Sequence, residues 1–318
     1  MKKRIVLALG GNALLKRGEV LSVENQYKSI HLFAELINDL AKEYSITIVH
    51  GNGPQVGLLA LQNLAYKEVP AYPLDVLVAE SQGMIGYMIA QALEQQAGMS
   101  PVTCLMTRVC VDANDSAFEQ PSKFIGPVYQ VEQMSELKEQ YGWNMKVDGD
   151  YIRRVVPSPK PQQIVEAKII DSLLTSDSVV ICAGGGGVPV TRKEHGYQGV
   201  EAVIDKDSVS ALLAEQIEAD HLLILTDADA VYIDWGTENQ RALRDVTSEE
   251  LQPFAQPDGA MGPKAEAVIN FVERTKNTAY IGALQDVKAI LKGEKGTCIR
   301  PVETAVPDSK TLKESLVY

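Results

Sequence analysis

Along the chain, short runs of β-branched and aliphatic residues end in glycine. They alternate with longer stretches in which apolar positions recur every three or four residues. Arg4-Ile-Val-Leu-Ala-Leu9 runs into Gly10-Gly11-Asn12, Ile46-Thr-Ile-Val-His50 into Gly51-Asn52-Gly53, and Ser178-Val-Val-Ile-Cys-Ala183 into Gly184-Gly185-Gly186-Gly187. Such runs predict buried parallel strands that turn sharply towards a helix. Glu24–Tyr44 carries Ile30, Phe33, Ala34, Ile37, Leu40 and Ala41 on one helical face. A helix opening near Pro54, a helix over Leu74–Gln96 weakened by Gly83 and Gly86, and a strand over Val102–Thr107 continue the order. After a break it resumes with helix 162–174, strand 178–182 and a helix from Lys206 that aligns Val209, Leu212, Leu213 and Ile217. Strand His221–Thr226, a helix from about Pro263 to Thr275, strand Thr278–Gly282, helix 285–291 and a strand near Cys298 follow. This βαβα order predicts an α/β fold with a mostly parallel sheet covered on both faces.

The break lies between Asp112 and Val156, where the chain is polar with scattered proline and glycine, and it ends at the stiff Val156-Pro-Ser-Pro-Lys-Pro161. A segment this long reads as an inserted subdomain or flap with its own small sheet. The whole is expected to form one domain, with a first half to about residue 200 and a second from about 201 to 318.

A chain of 318 residues with 45% hydrophobic positions supports a sizeable core. Its net charge of −12 argues against nucleic-acid or anionic-membrane partners, while leaving room for a small anionic substrate held by local lysines. Cys104, Cys110, Cys182 and Cys298 have no CxxC spacing and read as reduced thiols of a cytoplasmic protein. Met1-Lys-Lys-Arg4 before Ile5–Leu9 imitates a signal peptide, but the run is too short and is broken by Gly-Gly-Asn, so a first strand is expected.

Glycine turns at strand ends let backbone N–H groups approach an anion, and a helix N-terminus adds partial positive charge. No GxxxxGK[ST], GxGxxG, GxSxG or HExxH sequence is present. His50 beside a glycine turn reads better as structural than as catalytic. Lysines do stand beside these turns: Lys123 in the insert, and Lys206 and Lys264 at expected helix starts. An ammonium about 4 Å from a phosphate oxygen contributes roughly 4 kcal/mol at an effective dielectric near 20. Phosphoryl transfer needs mainly positioning and charge neutralisation. For any single lysine of the three, an ordinary surface position fits equally well. Asp205 and Asp207 flank Lys206 and suit either its orientation, magnesium binding or helix capping; Asp227 and Asp229 end a strand, where α/β sheets place ligands or simply turn.

Ala8-Leu-Gly-Gly-Asn-Ala-Leu14, His50-Gly-Asn-Gly-Pro-Gln-Val-Gly57, Glu80-Ser-Gln-Gly-Met-Ile-Gly-Tyr87, Arg153-Arg-Val-Val-Pro-Ser-Pro159, Ala183-Gly-Gly-Gly-Gly-Val-Pro189, Glu201-Ala-Val-Ile-Asp-Lys-Asp207, Thr226-Asp227 and Met261-Gly-Pro-Lys264 resemble, in order, the motifs of carbamate kinases in the amino acid kinase superfamily, with the nearest likeness to bacterial catabolic ones. The resemblance implies an open α/β/α sandwich with a protruding subdomain, a homodimer, and the Mg²⁺-dependent reaction ATP + carbamate ⇌ ADP + carbamoyl phosphate, usually run towards ATP. By position it implies that Gly10, Gly11, Asn12, Gly51, Asn52 and Gly53 hold carbamate and the transferred phosphoryl group. Lys206, oriented by Asp207, would bridge phosphate oxygens, Lys264 would neutralise the terminal phosphate, and Lys123 would reach in from the insert. Gly185, Gly186, Asp205, Asp227 and Tyr232 would receive the nucleotide. Phe124 stands where relatives commonly have proline, and Ala260 where many have serine. A glutamate-type kinase and a non-catalytic nucleotide sensor are the rival readings; retention of all three lysines speaks against the sensor.

Overall fold

Ile5–Leu9 is fully buried, and its alternate residues enter two different cores. In the computed structural model, which describes residues 2–11, 14–15, 18–256 and 260–302, this run is the central strand Lys3–Leu9. Val6 and Ala8 point to one face, where helices Ala167–Thr175, Lys206–Gln216 and Gly262–Thr275 pack. Ile5, Leu7 and Leu9 point to the other, covered by helices Val23–Leu40, Leu74–Glu94 and Val287–Leu291. A strand buried on both faces cannot alternate apolar with polar, which is why these runs are continuous. The result is a three-layer α/β/α fold.

The main sheet has eight strands, in the order Asp245–Thr247, Thr297–Arg300, Thr278–Ala283, His221–Thr226, Lys3–Leu9, Tyr44–His50, Val179–Ile181 and Val102–Cys104. All neighbours are parallel except Thr278–Ala283 with Thr297–Arg300. The first strand lies between Tyr44–His50 on one side and His221–Thr226 on the other, so the chain changes direction of travel there.

Three local expectations are corrected. Val102–Thr107 is not one strand: the chain leaves the main sheet after Cys104 and re-enters as Arg108–Val111 in a second sheet with Pro161–Ile164, Val188–Arg192 and Tyr197–Gly199. Gln82 forces the exit, exchanging hydrogen bonds with the Thr107 amide (2.9 Å) and carbonyl (3.1 Å). The helix expected from 162 begins only at Ala167, because Pro161–Ile164 pairs with Arg108–Val111 instead. The four-glycine run forms a single 3-10 turn, Gly184–Gly186, and leads into the strand Val188–Arg192 instead of opening an α-helix. The helix over Leu74–Glu94 continues through Gly86, where the Cys104 thiol occupies the space of a side chain: an added Cβ would lie 2.2 Å from the sulfur.

Residues 112–156 do carry their own antiparallel sheet, in the order Lys123–Tyr129, Tyr151–Val156, Asn144–Asp148, with the short helix Met134–Tyr141. Leu137, Trp143 and Ile152 form its small core, against which Leu61 and Leu64 of helix Gly53–Ala65 pack.

Candidate functional site

Parallel strands that start level also end level. Leu9 is in register with both His50 and Leu225, so Gly10-Gly11, Gly51–Gly53 and Thr226-Asp227 leave neighbouring strands along one edge. The turns are stitched together, Gly10 N–H donating to the Leu225 carbonyl (2.9 Å) and Gly51 N–H to the Leu9 carbonyl (3.1 Å). This is the switch point of the sheet, where open α/β folds bind ligands. A cavity of about 320 Å³ opens there, bounded by Gly10, Gly11, Gly51, Asn52, Gly53 and Gly185 on its glycine side. Asn12 lies outside the described residues.

The opposite wall is charged. Lys123, Asp205, Lys206, Asp207 and Lys264 all line the cavity. Asp205 is the N-cap of helix Lys206–Gln216, accepting from the amides of Asp207 (3.0 Å) and Ser208 (3.1 Å). Its second oxygen takes the Lys123 ammonium at 2.6 Å. Asp207, 4% exposed in its side chain, is gripped by two lysines: Lys206 on one oxygen and Lys264, at 3.2 Å, on the other. The Lys206 stem runs past Gly51, whose missing Cβ would sit 3.7 Å from it. Three helices, Gly53–Ala65, Lys206–Gln216 and Gly262–Thr275, begin at this cavity, and the partial positive charge of their N-terminal ends adds to the field.

The titration behaviour follows from these contacts. Burial pulls the Lys206 pKa down; Asp207 pushes back, and Lys264 adds to the fall. Burial also acts against the Lys123 ammonium, but the Asp205 carboxylate outweighs it and raises the pKa. Asp205 is the mirror case: burial raises its pKa, yet Lys123 and the Ser208 amide hold it well below the usual carboxylate range.

Glycines 184–187 lie at and beneath the glycine side of the cavity. Gly185, Gly186 and Gly187 have φ of 65°, 87° and 78°, the left-handed region that glycine enters without strain. A Cβ on Gly185 would lie 2.0 Å from the Asn52 amide, and one on Gly186 2.2 Å from the Ile204 carbonyl oxygen. So Gly185 lines the cavity, whereas Gly186 is a packing position beneath it. Asp227 receives the Thr226 hydroxyl at 2.9 Å, and the Tyr232 hydroxyl donates to Asp229 at 2.7 Å; neither Asp227 nor Tyr232 lines the cavity.

Sequence reasoning missed the supports of Asn52 and the glycine loop. Asn52 Nδ2 donates to the Ser81 hydroxyl (2.8 Å), and Thr107, held by Gln82, accepts from the Ala183 amide (3.0 Å). The available signal was Ser81-Gln82, a polar pair inside an apolar helix.

His50 is not part of the cavity wall. It is 1% exposed, its Nδ1 faces the Gly51 carbonyl at 3.0 Å, and a carbonyl only accepts, so Nδ1 carries the proton. Burial, assisted by the nearby Lys206 charge, lowers its pKa to about 4. The unfolded chain therefore binds a proton below pH 6.5 that the folded one refuses until pH 4. Stability is full above 6.5 and falls across that window, by about 2 kcal/mol at pH 5. Thermal melts at pH 7 and 5 should show this loss, and His50→Gln should flatten it; an equal pH slope in the variant refutes the assignment.

Residues 3–283 match the model of the amino acid kinase family. Over 297 residues the chain is 60% identical to the carbamate kinase of Escherichia coli (strain K12), covering 93% of this chain and 99% of that protein. It is 51% identical to the carbamate kinase of Rhizobium meliloti (strain 1021), covering 93% of each. The structure of carbamate kinase from Giardia lamblia bound to AMP-PNP superposes with a TM-score of 0.86 at 35% identity, over 95% of this chain and 99% of that one. The chain belongs to the amino acid kinase family and, within it, to the carbamate kinases.

Proposed function

We propose that the protein transfers a phosphoryl group between ATP and carbamate, ATP + carbamate ⇌ ADP + carbamoyl phosphate, and that in the cell it runs towards ATP in a catabolic pathway. The observation that carries this reading is the convergence of Lys123, Lys206 and Lys264 on two aspartates across a 320 Å³ cavity from glycine turns. Gly10, Gly11, Gly51, Asn52 and Gly53 hold the carbamate side. Lys206 and Lys264 balance charge on the migrating phosphoryl group, Asp207 fixes both, and Lys123 approaches from the insert. Gly185, Asp205, Asp227 and Tyr232 serve the nucleotide, so the two halves of the chain, meeting near residue 200, divide the substrates.

A carbamate oxygen is already anionic and attacks phosphorus without a general base, which suits a cavity wall that holds no histidine among the described residues. Asp205 and Asp207 are both engaged by ammonium groups, so this wall offers cations and amides more than metal ligands. That fits a Mg²⁺ ion that travels on the nucleotide phosphates and keeps most of its waters. When bound it spreads the phosphate charge, adding to what the lysines do.

A coupled assay for ATP formed from ADP, Mg²⁺ and carbamoyl phosphate is expected to give turnover, with acetyl phosphate and glutamyl phosphate far poorer. Preference for glutamyl phosphate would move the chain to a glutamate-type kinase.

The homodimer belongs to the same reading. Val76, Met84 and Tyr87 lie exposed on one stripe of helix Leu74–Glu94, and Tyr66, Val69 and Tyr72 are exposed in the segment that leads into it, apolar positions suited to a second copy. Light scattering should give a dimer mass that falls to the monomer's in Met84→Glu/Tyr87→Glu; an unchanged dimer sets the interface elsewhere. Free thiols at all four cysteines accord with a cytoplasmic setting, and among the described residues no helix is long and apolar enough to cross a membrane.

A further inference from the structure

Helix Gly53–Ala65 starts at the Gly51–Gly53 turn and carries another glycine, Gly57, one turn further along the same face. That face meets the strand Lys123–Tyr129. A Cβ on Gly53 would lie 3.9 Å from the Phe124 carbonyl oxygen. On Gly57 it would lie 1.9 Å from the Gly126 Cα and 2.2 Å from its nitrogen. Backbone meets backbone here. The strand is shaped for the contact: its pairing with Tyr151–Val156 shifts between Ile125 and Val128, Gly126 has φ of 70°, and Arg153 Nε donates to the Gly126 carbonyl at 2.8 Å. A bulge with a left-handed glycine re-aims a strand. Both glycines are buried, and neither lines the cavity. Three residues before Gly126 on this strand, Lys123 does line it.

We infer that Gly57 and Gly126 form a seat that sets the position of Lys123 over the phosphate-holding turn, which makes Gly57 a positioning residue for the transfer step. The inference rests on the role proposed above for Lys123. Its physical basis is that the turn and the seat belong to one helix, four residues apart, so Lys123 and the glycine turn are located by a single stiff element. The other contacts of the insert with this helix, Val56 and Ala60 clustered with Ile125 and Val156 and Leu61 and Leu64 against the Trp143 core, are apolar packing that can slide. Two apposed backbones without side chains cannot move closer, and Arg153, from the adjacent strand of the insert, holds the Gly126 carbonyl in the bulged geometry that makes the contact.

The test is Gly57→Ala. The new Cβ must drive Gly126 back by about 2 Å before carbon atoms rest at their usual 3.5–4.0 Å. Misplacing a catalytic group on that scale costs on the order of 10²-fold in kcat. The KM for ADP should stay near the wild-type value, since the nucleotide side is untouched. In a Lys123→Ala background, Gly57→Ala should change kcat by no more than about twofold, because the group being positioned is gone. Arg153→Gln, which adds no atom to the seat, should lower kcat by about tenfold and should also lose its effect in Lys123→Ala; it decides the matter if Gly57→Ala does not fold. Near-normal kcat in the single variants, or a full further loss on top of Lys123→Ala, overturns the seat. Failure of the underlying reading is separately visible: a wild type without phosphoryl transfer, or full turnover in Lys123→Ala, removes the role of Lys123 and the seat's purpose with it.

Discussion

Lys206→Ala is expected to lower kcat by about 10²–10³-fold, the scale on which one preorganised electrostatic donor acts. The side chain is 11% exposed, fixed by Asp207 and laid along Gly51, so its ammonium has one place to be. It stands at the first position of helix Lys206–Gln216, whose positive N-terminal end adds to the same field. Charge moves between the nucleotide and the carbamate oxygen during transfer, and a fixed cation favours the transition state over either ground state. The fold should tolerate the change, because Asp207 keeps Lys264 as a partner and little packing is lost. Measuring kcat and the melting temperature together separates the possibilities: full turnover refutes the catalytic role, and a lower kcat at near-normal stability supports it.

What the sequence made legible was whatever depends on neighbours along the chain. His221–Thr226 is a strand at the expected bounds because a fully buried strand must be continuously apolar. Lys206 and Lys264 fall in first helical turns, as Asp205 and Pro263 signal. What stayed hidden depends on distant partners. Nothing local tells that Thr107 must turn away to meet Gln82, or that the second sheet draws Pro161–Ile164 out of a helical period. The four glycines announced a tight turn but not its reason: positions 184–187 are crowded by His50, Asn52, Ile204 and Val109 respectively, none of them adjacent in sequence. Gly57, the last residue of the His50–Gly57 motif, carries no local sign of the strand it touches. Orienting Lys206, magnesium binding and capping are the readings open in the sequence for Asp205 and Asp207: Asp205 caps the helix and takes Lys123, while Asp207 binds Lys206 and Lys264.

Asp207→Asn should be the most destabilising of the conservative changes at this cavity, and its cost should shrink when substrates bind. One carboxylate, 4% exposed, neutralises two ammonium groups that are themselves only 11% and 16% exposed. The amide keeps the shape and one acceptor oxygen but removes the charge. Two like charges then face each other in a poorly hydrated pocket, beside a helix N-terminus that also repels them. Breaking one partner out of a buried ionic cluster costs about 3–5 kcal/mol, so the unliganded melting temperature should drop clearly. Substrate phosphates carry the anionic oxygens that the variant lacks. Adding Mg²⁺, ADP and a phosphonate analogue of carbamoyl phosphate should therefore raise the melting temperature more in Asp207→Asn than in the wild type. The kcat should still fall, because the lysines are no longer held in direction before the substrates arrive. If the variant melts like the wild type, or if ligands stabilise both equally, then Lys206 and Lys264 are kept in place by something other than the Asp207 charge.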